Sequence, residues 1–267
     1  MRLTARILGC GSSGGVPRIG GEWGACDPAN PKNRRTRCSL LLRAGMGDGP
    51  TTDILVDTSP DLREQMLAAG LGRLDAVLYT HEHADQVAGI DDLRVVAINM
   101  RRRVPVYMDA HTGGELKTRF HYCFEGPAGS PYPAILEACL LKDGQALAID
   151  GPGGAVPVLP FDQDHGSIRS LGFRFGPLAY SPDLVELPEA GLAALEGVEC
   201  WIVDALRHRP HPTHAHVEKA LAWIEHLKPR RAILTNMHVD LDYETLRRAL
   251  PEGVEPAYDG MELSVEL

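Results

Sequence analysis

The chain has 267 residues, of which 44% are hydrophobic and 24% are charged, and this composition suits a globular protein with a substantial core. Its formal net charge of −9 argues against broad contact with nucleic acid. No apolar run approaches the ~18 residues that a membrane-spanning helix needs, and the apolar stretch at the N-terminus is too short for a signal peptide, so we expect a cytoplasmic protein.

Short apolar runs predict β-strands along the whole chain. They cover residues 3–9, 38–44, 53–57, 74–80, 104–108, 156–161, 171–176, 200–206, 232–237 and 261–267. Three segments predict helices from their first and last residues. They are 59–70, with Ser59 as cap and Gly70 as terminator, 213–229, with Thr213 as cap and Pro229 as stop, and 242–250, beginning at Asp242.

The order of these elements predicts the architecture. Strand-rich segments followed by helices recur in both halves, and a Gly-rich turn at 150–154 is typical of a hairpin. This order favours an α/β (α+β) protein with two mixed sheets packed face to face and helices outside, rather than a doubly wound parallel sheet. The sequence has no long linker, so we predict a single domain over residues 1–267.

Residues 9–14, GCGSSG, match the G-x-G-x-x-G pattern. A dinucleotide site needs this loop to open a helix, but the following GGVPRIGG cannot form one. We therefore expect a tight loop near the site, with Cys10 as a buried small side chain. The six cysteines form no C-x-x-C pair, so neither disulfides nor an all-cysteine zinc site is predicted.

The strongest chemical signal is HEHAD, residues 81–85, directly after a predicted strand. In extended backbone alternate side chains share one face, so His81, His83 and Asp85 would point the same way. Imidazole and carboxylate groups bind divalent cations. The alternative is a polar turn with no ligand role.

Further candidate ligands follow later apolar runs. His165, Asp183 and His238 each come soon after a predicted strand. Any one of them alone could be an ordinary loop residue. Because the pattern of strand and then ligand repeats, the set indicates one divalent metal site at the ends of several strands.

This array resembles that of the metallo-β-lactamase-fold hydrolases, particularly the branch typified by phosphoribosyl 1,2-cyclic phosphate phosphodiesterase. The segments GCGSSGGVP, RRTRCSLLL, 208–216 and AYDGMEL carry the same likeness, which covers nearly the whole chain. The resemblance implies a four-layer αββα sandwich with a dinuclear metal site at one edge.

The resemblance also implies a role for each candidate residue. His81, His83 and His165 would hold a first cation, Asp85 and His238 a second, and Asp183 would bridge both, while Asp57 and Asp204 would orient these ligands through hydrogen bonds. His214 would reach the scissile phosphate, and His214 and Asp85 are the candidate catalytic residues. The expected cofactors are therefore two divalent ions, Mn²⁺ or Zn²⁺.

Two positions depart from the family pattern. Gln86 stands where the family usually has a histidine on the second metal, and its neutral amide oxygen is a poorer zinc ligand than imidazole. We expect a second site that is weakened rather than abolished, with Gln86 as a doubtful ligand. Cys26 is the one cysteine of a segment that carries several in the named phosphodiesterase, so no structural zinc is predicted there.

The predicted activity is hydrolysis of a small nucleotide or ribose phosphodiester, open or cyclic, by a hydroxide that bridges the two metals. Arginines at 34–37 or 101–103 are candidates for binding the substrate phosphate. The segment 99–136 either shapes the substrate mouth or packs as ordinary structure.

Other functions and the oligomeric state stay open. A tRNA 3′-processing-type ribonuclease, another metallo-hydrolase such as a thioesterase or lactamase, and a nucleotide sensor that has lost turnover through Gln86 are the alternatives. The expected partner is a small phosphate ester rather than a membrane or an extended nucleic acid. Both a monomer and a homodimer are compatible with the sequence.

Overall fold

A computed structural model describes residues 1–126 and 132–267 and contains two seven-stranded sheets in these ranges. Strands and helices are numbered in chain order. From edge to edge the first sheet contains β14 (Glu262–Glu266), β1 (Arg2–Gly9), β2 (Ser39–Gly45), β3 (Thr51–Val56), β4 (Ala76–Leu78), β5 (Val104–Met108) and β6 (Leu136–Leu140). The second contains β13 (Val254–Pro256), β12 (Arg231–Thr235), β11 (Cys200–Asp204), β10 (Leu178–Ser181), β9 (Arg169–Phe175), β8 (Val156–Asp164) and β7 (Leu147–Ile149).

Helices are short and lie between the strands in the chain. They are α1 (Leu62–Ala69), α2 (Ala84–Val87), α3 (Leu93–Met100), α4 (Ala110–Arg119), α5 (His121–Phe124), α6 (Glu189–Leu195), α7 (Val217–Leu227) and α8 (Tyr243–Ala249). Among the residues that the structure describes, no helix is both long and apolar enough to cross a membrane.

Each sheet has an antiparallel part and a parallel part. β1, β2 and β3 pair antiparallel, whereas β3, β4, β5 and β6 pair parallel. In the second sheet β8, β9 and β10 pair antiparallel, and β10, β11, β12 and β13 pair parallel. Neighbouring parallel strands end at the same edge of a sheet, so the loops that leave them lie side by side.

The two sheets pack face to face, as the sequence predicts. On β3, Ile54 and Val56 are buried in the same core as Phe173 and Trp201 of the second sheet. Leu55, between them, belongs to a second core that includes residues of α1 and α3. This alternation explains why the strand is apolar throughout, because both of its faces are covered. The predicted mixed sandwich with outer helices is confirmed.

Helix starts differ in part from the predictions. α8 begins as predicted, with Asp242 accepting a hydrogen bond from the Thr245 amide, and Gly70 ends α1 in the left-handed conformation, at φ 63°. α1 begins after Asp61 instead of Ser59, because the Ser59 hydroxyl accepts the Asp61 amide in a preceding turn. α7 begins after His216 instead of Thr213.

The segment 99–136 holds β5, α4 and α5. Leu116 and Cys123 of its helices are buried in the outer core, so α4 and α5 pack as part of the sandwich. Residues 127–131, the Gly/Pro-rich part that the sequence associates with the substrate mouth, lie outside the described residues.

Candidate metal centre

The predicted site residues lie just beyond the carboxyl ends of strands from both sheets. Asp57 follows β3, His81 and His83 follow β4, His165 follows β8 and Asp183 follows β10. Asp204 is the last residue of β11. The sandwich therefore brings polar side chains that are far apart in sequence to one edge of the fold.

Three of the predicted histidines form a cluster. His81, His83 and His165 each offer a ring nitrogen, and these nitrogens lie within 4.8 Å of one another. His83 Nδ1 is 3.3 Å from His165 Nε2. Two nitrogens bound to one tetrahedral metal at ~2.0–2.1 Å are separated by roughly 3.3 Å. The spacing of these rings therefore fits a shared metal ion.

Hydrogen bonds set the tautomers of two of these rings. His165 Nδ1 donates to the Thr213 carbonyl at 2.7 Å, which leaves the Nε2 lone pair facing His83. His81 Nδ1 lies 3.0 Å from the Thr80 hydroxyl, and its Nε2 is buried with no hydrogen-bond partner. Burial lowers the pKa of His165 to about 4 and that of His81 well below its usual range. Both rings are neutral, which is the form that binds a metal.

Asp57 acts on His81 through an intermediate hydroxyl. Its Oδ1 accepts the Thr80 amide at 2.9 Å and its Oδ2 accepts the Thr80 hydroxyl at 2.8 Å. The hydroxyl is then left to accept a hydrogen bond from His81 Nδ1, so that the Nε2 lone pair points into the cluster. Burial raises the pKa of Asp57 to about 8, although both hydrogen bonds from Thr80 oppose the shift.

Asp183 is a buried carboxyl group beside other acidic groups. Burial raises its pKa well above the usual range, and Asp85 and Asp204 raise it further, while His214 lowers it. Asp85 is half-buried. Acidic groups held together away from water need a compensating positive charge. A divalent cation next to Asp183 would supply that charge, so the acidic groups, like the histidines, fit a metal.

His214 lies beside the histidine cluster. Its Nδ1 is 2.8 Å from Asp204 Oδ2 and 3.8 Å from Asp183 Oδ1. Burial by itself lowers the pKa of His214, but Asp204, followed by Asp183 and Asp85, raises it to about 9. Ligand atoms of His165, Asp183 and His214 lie within 4.8 Å of one another. His214 is thus a protonated group beside the site, as a proton donor must be.

Two amide side chains face Asp183. Gln86 Nε2 is 3.1 Å from Asp183 Oδ2, and Asn236 Nδ2 is 3.3 Å from Asp183 Oδ1. Asn236 also lies 3.1 Å from His214 Nδ1. The sequence pattern points to Gln86 but does not predict a role for Asn236. Its position directly after β12 is the one signal in the sequence that could have pointed to it.

The His238 ring contacts two charged side chains. Its Nε2 accepts a hydrogen bond from the Arg18 guanidinium, and its Nδ1 is 3.0 Å from Asp240 Oδ2. β12 ends at Thr235, and Asn236 turns the chain in the left-handed conformation at φ 59°. Asn236, directly after β12, contacts Asp183.

The two cysteines considered in the sequence lie away from the histidines. Cys10 is fully buried and its thiol donates to Asp259 Oδ1 at 3.4 Å. Cys26 is buried too, and its thiol lies 3.4 Å from the Val239 and Leu241 carbonyl oxygens. Burial raises the pKa of both thiols. A thiol with a raised pKa is a poor nucleophile, so both cysteines fit a packing role.

Comparison with known proteins gives a consistent family. The profile described as "Beta-lactamase superfamily domain" matches residues 52–237. The crystal structure of a protein described as a new diphosphatase from the PhnP family superimposes on this chain with a TM-score of 0.89. The two sequences are 36% identical, and the match covers 100% of this chain and 98% of that chain.

Two curated relatives are similar in sequence. An octanoyltransferase of Porphyromonas gingivalis is 32% identical over 265 residues, which is 97% of this chain and 51% of that protein. A ribonuclease Z of a Bradyrhizobium species is 33% identical over 169 residues, which is 62% of this chain and 51% of that protein. The chain thus spans about half the length of these curated relatives.

Proposed function

Because this chain belongs to the beta-lactamase superfamily, we propose that it is a metal-dependent hydrolase of small phosphodiesters, open or cyclic. The observation that carries the proposal is the cluster of three imidazole nitrogens beside the buried Asp183 and the protonated His214. This cluster joins the two things that phosphodiester hydrolysis needs, which are a place for a divalent cation and a proton donor next to it.

His81, His83, His165 and Asp183 would hold the cation. When bound, it would supply Lewis-acid polarisation of the phosphate and a lowered pKa for water. The sequence also predicts a second cation on Asp85 and His238. That prediction is not part of the proposal, because His238 Nε2 accepts a hydrogen bond from Arg18.

His214 would donate a proton to the leaving oxygen of the ester. Its pKa of about 9 keeps the ring charged near neutral pH, and the hydrogen bond from Nδ1 to Asp204 fixes the plane of the ring. An alkoxide leaving group needs such a proton, because its conjugate acid is very weak. Asp204 would act through His214, as a positioning residue.

Cationic side chains adjoin the site and would bind the phosphate. Arg18 contacts His238, and both Arg18 and Arg207 act on His238 electrostatically. Burial lowers the pKa of His211, and the charges of His214 and Arg207 lower it further. The His211 ring centroid is 5.2 Å from that of His214. An arginine in such a position can bind two phosphate oxygens at once. These residues replace the arginines of 34–37 and 101–103 as our first candidates for the phosphate contact.

A diphosphate is the second candidate substrate. The 36% identical structure that covers this whole chain is titled a diphosphatase, and cleavage of a P–O–P bond would use the same groups. The similarity to ribonuclease Z covers 62% of this chain, and the net charge of −9 disfavours a long RNA substrate.

Purified protein reconstituted with Mn²⁺ or Zn²⁺ would test the proposal. We expect turnover of bis(p-nitrophenyl) phosphate or of a cyclic ribose phosphate, with a pyrophosphate diester and a tRNA precursor as competing substrates. His83→Ala should abolish both turnover and metal retention, whereas His208→Ala, which changes an exposed histidine paired with Glu218, should abolish neither. Tight nucleotide binding without turnover under either metal would favour the sensor.

A further inference from the structure

The two amides that face Asp183 occupy both of its oxygens. Gln86 reaches Oδ2 at 3.1 Å and Asn236 reaches Oδ1 at 3.3 Å. All three side chains are at most 2% exposed, so water does not compete for these contacts. In a dinuclear site a bridging carboxylate gives one oxygen to each metal. Here each oxygen also accepts an amide N–H, which occupies one of its lone pairs and leaves another for the first cation.

Both amides turn their NH₂ groups towards Asp183. In each contact the amide nitrogen donates to a carboxyl oxygen of Asp183. Consistent with this, Gln86 Oε1 points elsewhere and is buried with no hydrogen-bond partner. An amide nitrogen does not bind divalent cations. The two amide nitrogens therefore supply partial positive charge to Asp183 and are not themselves metal ligands.

His238 cannot replace the missing imidazole in this arrangement. Its Nε2 accepts from Arg18, and its Nδ1 lies 3.0 Å from Asp240. The Arg18 guanidinium carries a permanent positive charge, and a second cation placed at His238 would be repelled by it. Gln86, where the sequence departs from the dinuclear pattern, and Asn236 meet in space at Asp183, although they are far apart in the chain.

We infer that this chain holds one divalent cation and that the Gln86–Asn236 amide pair takes the place of a second. The inference rests on the proposed function, because it presupposes the first cation on His81, His83, His165 and Asp183. The amide pair would hold the Asp183 carboxylate in position, as a second cation does in a dinuclear site, but without its Lewis acidity.

Metal counting by elemental analysis tests the inference independently of turnover. Wild-type protein equilibrated with Zn²⁺ or Mn²⁺ and then desalted should retain about one ion per chain. The double variant Gln86→His/Asn236→His should retain about two. With Mn²⁺, the electron paramagnetic resonance spectrum should change from that of an isolated ion to that of an exchange-coupled pair.

Two conservative variants keep the test decisive if the double variant fails to fold. Gln86→Leu places a side chain of similar bulk there without any metal-binding atom, and His238→Ala removes the ligand predicted from sequence. Both should still retain about one ion. A wild-type count of two, or a count that falls in either variant, would overturn the inference and leave the proposed function intact. A count of zero for every metal would overturn both.

Discussion

Asp204 Oδ2 and His214 Nδ1 are 2.8 Å apart beside the histidine cluster, and the same Asp204 oxygen accepts a hydrogen bond from the backbone amide of Leu184. One buried carboxylate therefore connects the loop that carries Asp183 with the loop that carries His214. This contact links the placement of the candidate metal ligand to the placement of the candidate proton donor.

Asp204→Asn should lower kcat by roughly 10- to 100-fold with little change in KM, because the neutral amide supports the charged His214 ring poorly. His214→Ala should lower kcat further, by about 100-fold or more. If Asp204 acts through His214, the double variant should be no worse than His214→Ala alone. Additive losses in a double-mutant cycle would show that the two residues act separately.

Thr80→Val should weaken metal binding, because its hydroxyl links Asp57 to His81. Removing it leaves His81 free to adopt the other tautomer, with the lone pair turned out of the cluster, and a loss of roughly 10- to 100-fold in metal affinity follows. Thr80→Ser retains the hydroxyl and should bind the metal normally. Competition with a chelator measures both affinities, and equal values for the two variants would rule out the link.

Arg18→Ala should raise KM for a phosphodiester by about tenfold, the expected loss for a charged hydrogen bond, if Arg18 binds the substrate phosphate. Retention of the first metal ion should stay unchanged, since Arg18 contacts His238 rather than the histidine cluster. Arg18→Lys keeps the charge but cannot bind two phosphate oxygens at once, so its KM should lie between those of the wild type and Arg18→Ala. Steady-state kinetics at fixed metal concentration would measure this, and an unchanged KM would remove Arg18 from the phosphate site.

Asp242→Ala should destabilise the fold by about 1 kcal/mol, the typical loss for a helix cap. Asp242 accepts hydrogen bonds from the amides of Thr245 and Asp27 and from the Asn33 side chain. Burial would raise its pKa, but these hydrogen bonds lower it to about 2.

The sign of the pH dependence follows from that shift. A carboxyl group whose pKa is lower in the folded state adds stability above its unfolded pKa, near 4, and loses it as the pH falls towards 2. Urea unfolding at pH 7 and pH 3 should therefore show a smaller gap between wild type and Asp242→Ala at pH 3. A gap that is constant or wider in acid would contradict the assignment.

The sequence predicts much of the fold because local patterns carry it. The apolar run at 53–57 forms β3, and the turn at 150–154 joins the antiparallel pair β7 and β8. Asp242 and Gly70 act at the helix ends where the sequence places them. These features depend on burial of alternate side chains and on end groups of helices, which are properties of neighbouring residues.

Thr213 shows where such local reasoning stops. Its residue type suits a helix cap, and α7 nevertheless begins after His216. The Thr213 carbonyl accepts the hydrogen bond from His165 Nδ1, a contact between residues 48 positions apart in the chain. The Thr213 carbonyl is thus engaged by the distant His165 ring, and α7 begins three residues later than the sequence predicts.

By itself, the sequence determined which residues could serve as ligands and that they follow strands, since residue type and alternation are local properties. Only the tertiary structure decided which of them meet. His238 and Asn236 are two positions apart, yet the turn after β12 presents the amide to Asp183 and the imidazole to Arg18. The direction of a side chain beyond a strand depends on how the turn packs against distant loops, and that packing is a property of the whole fold.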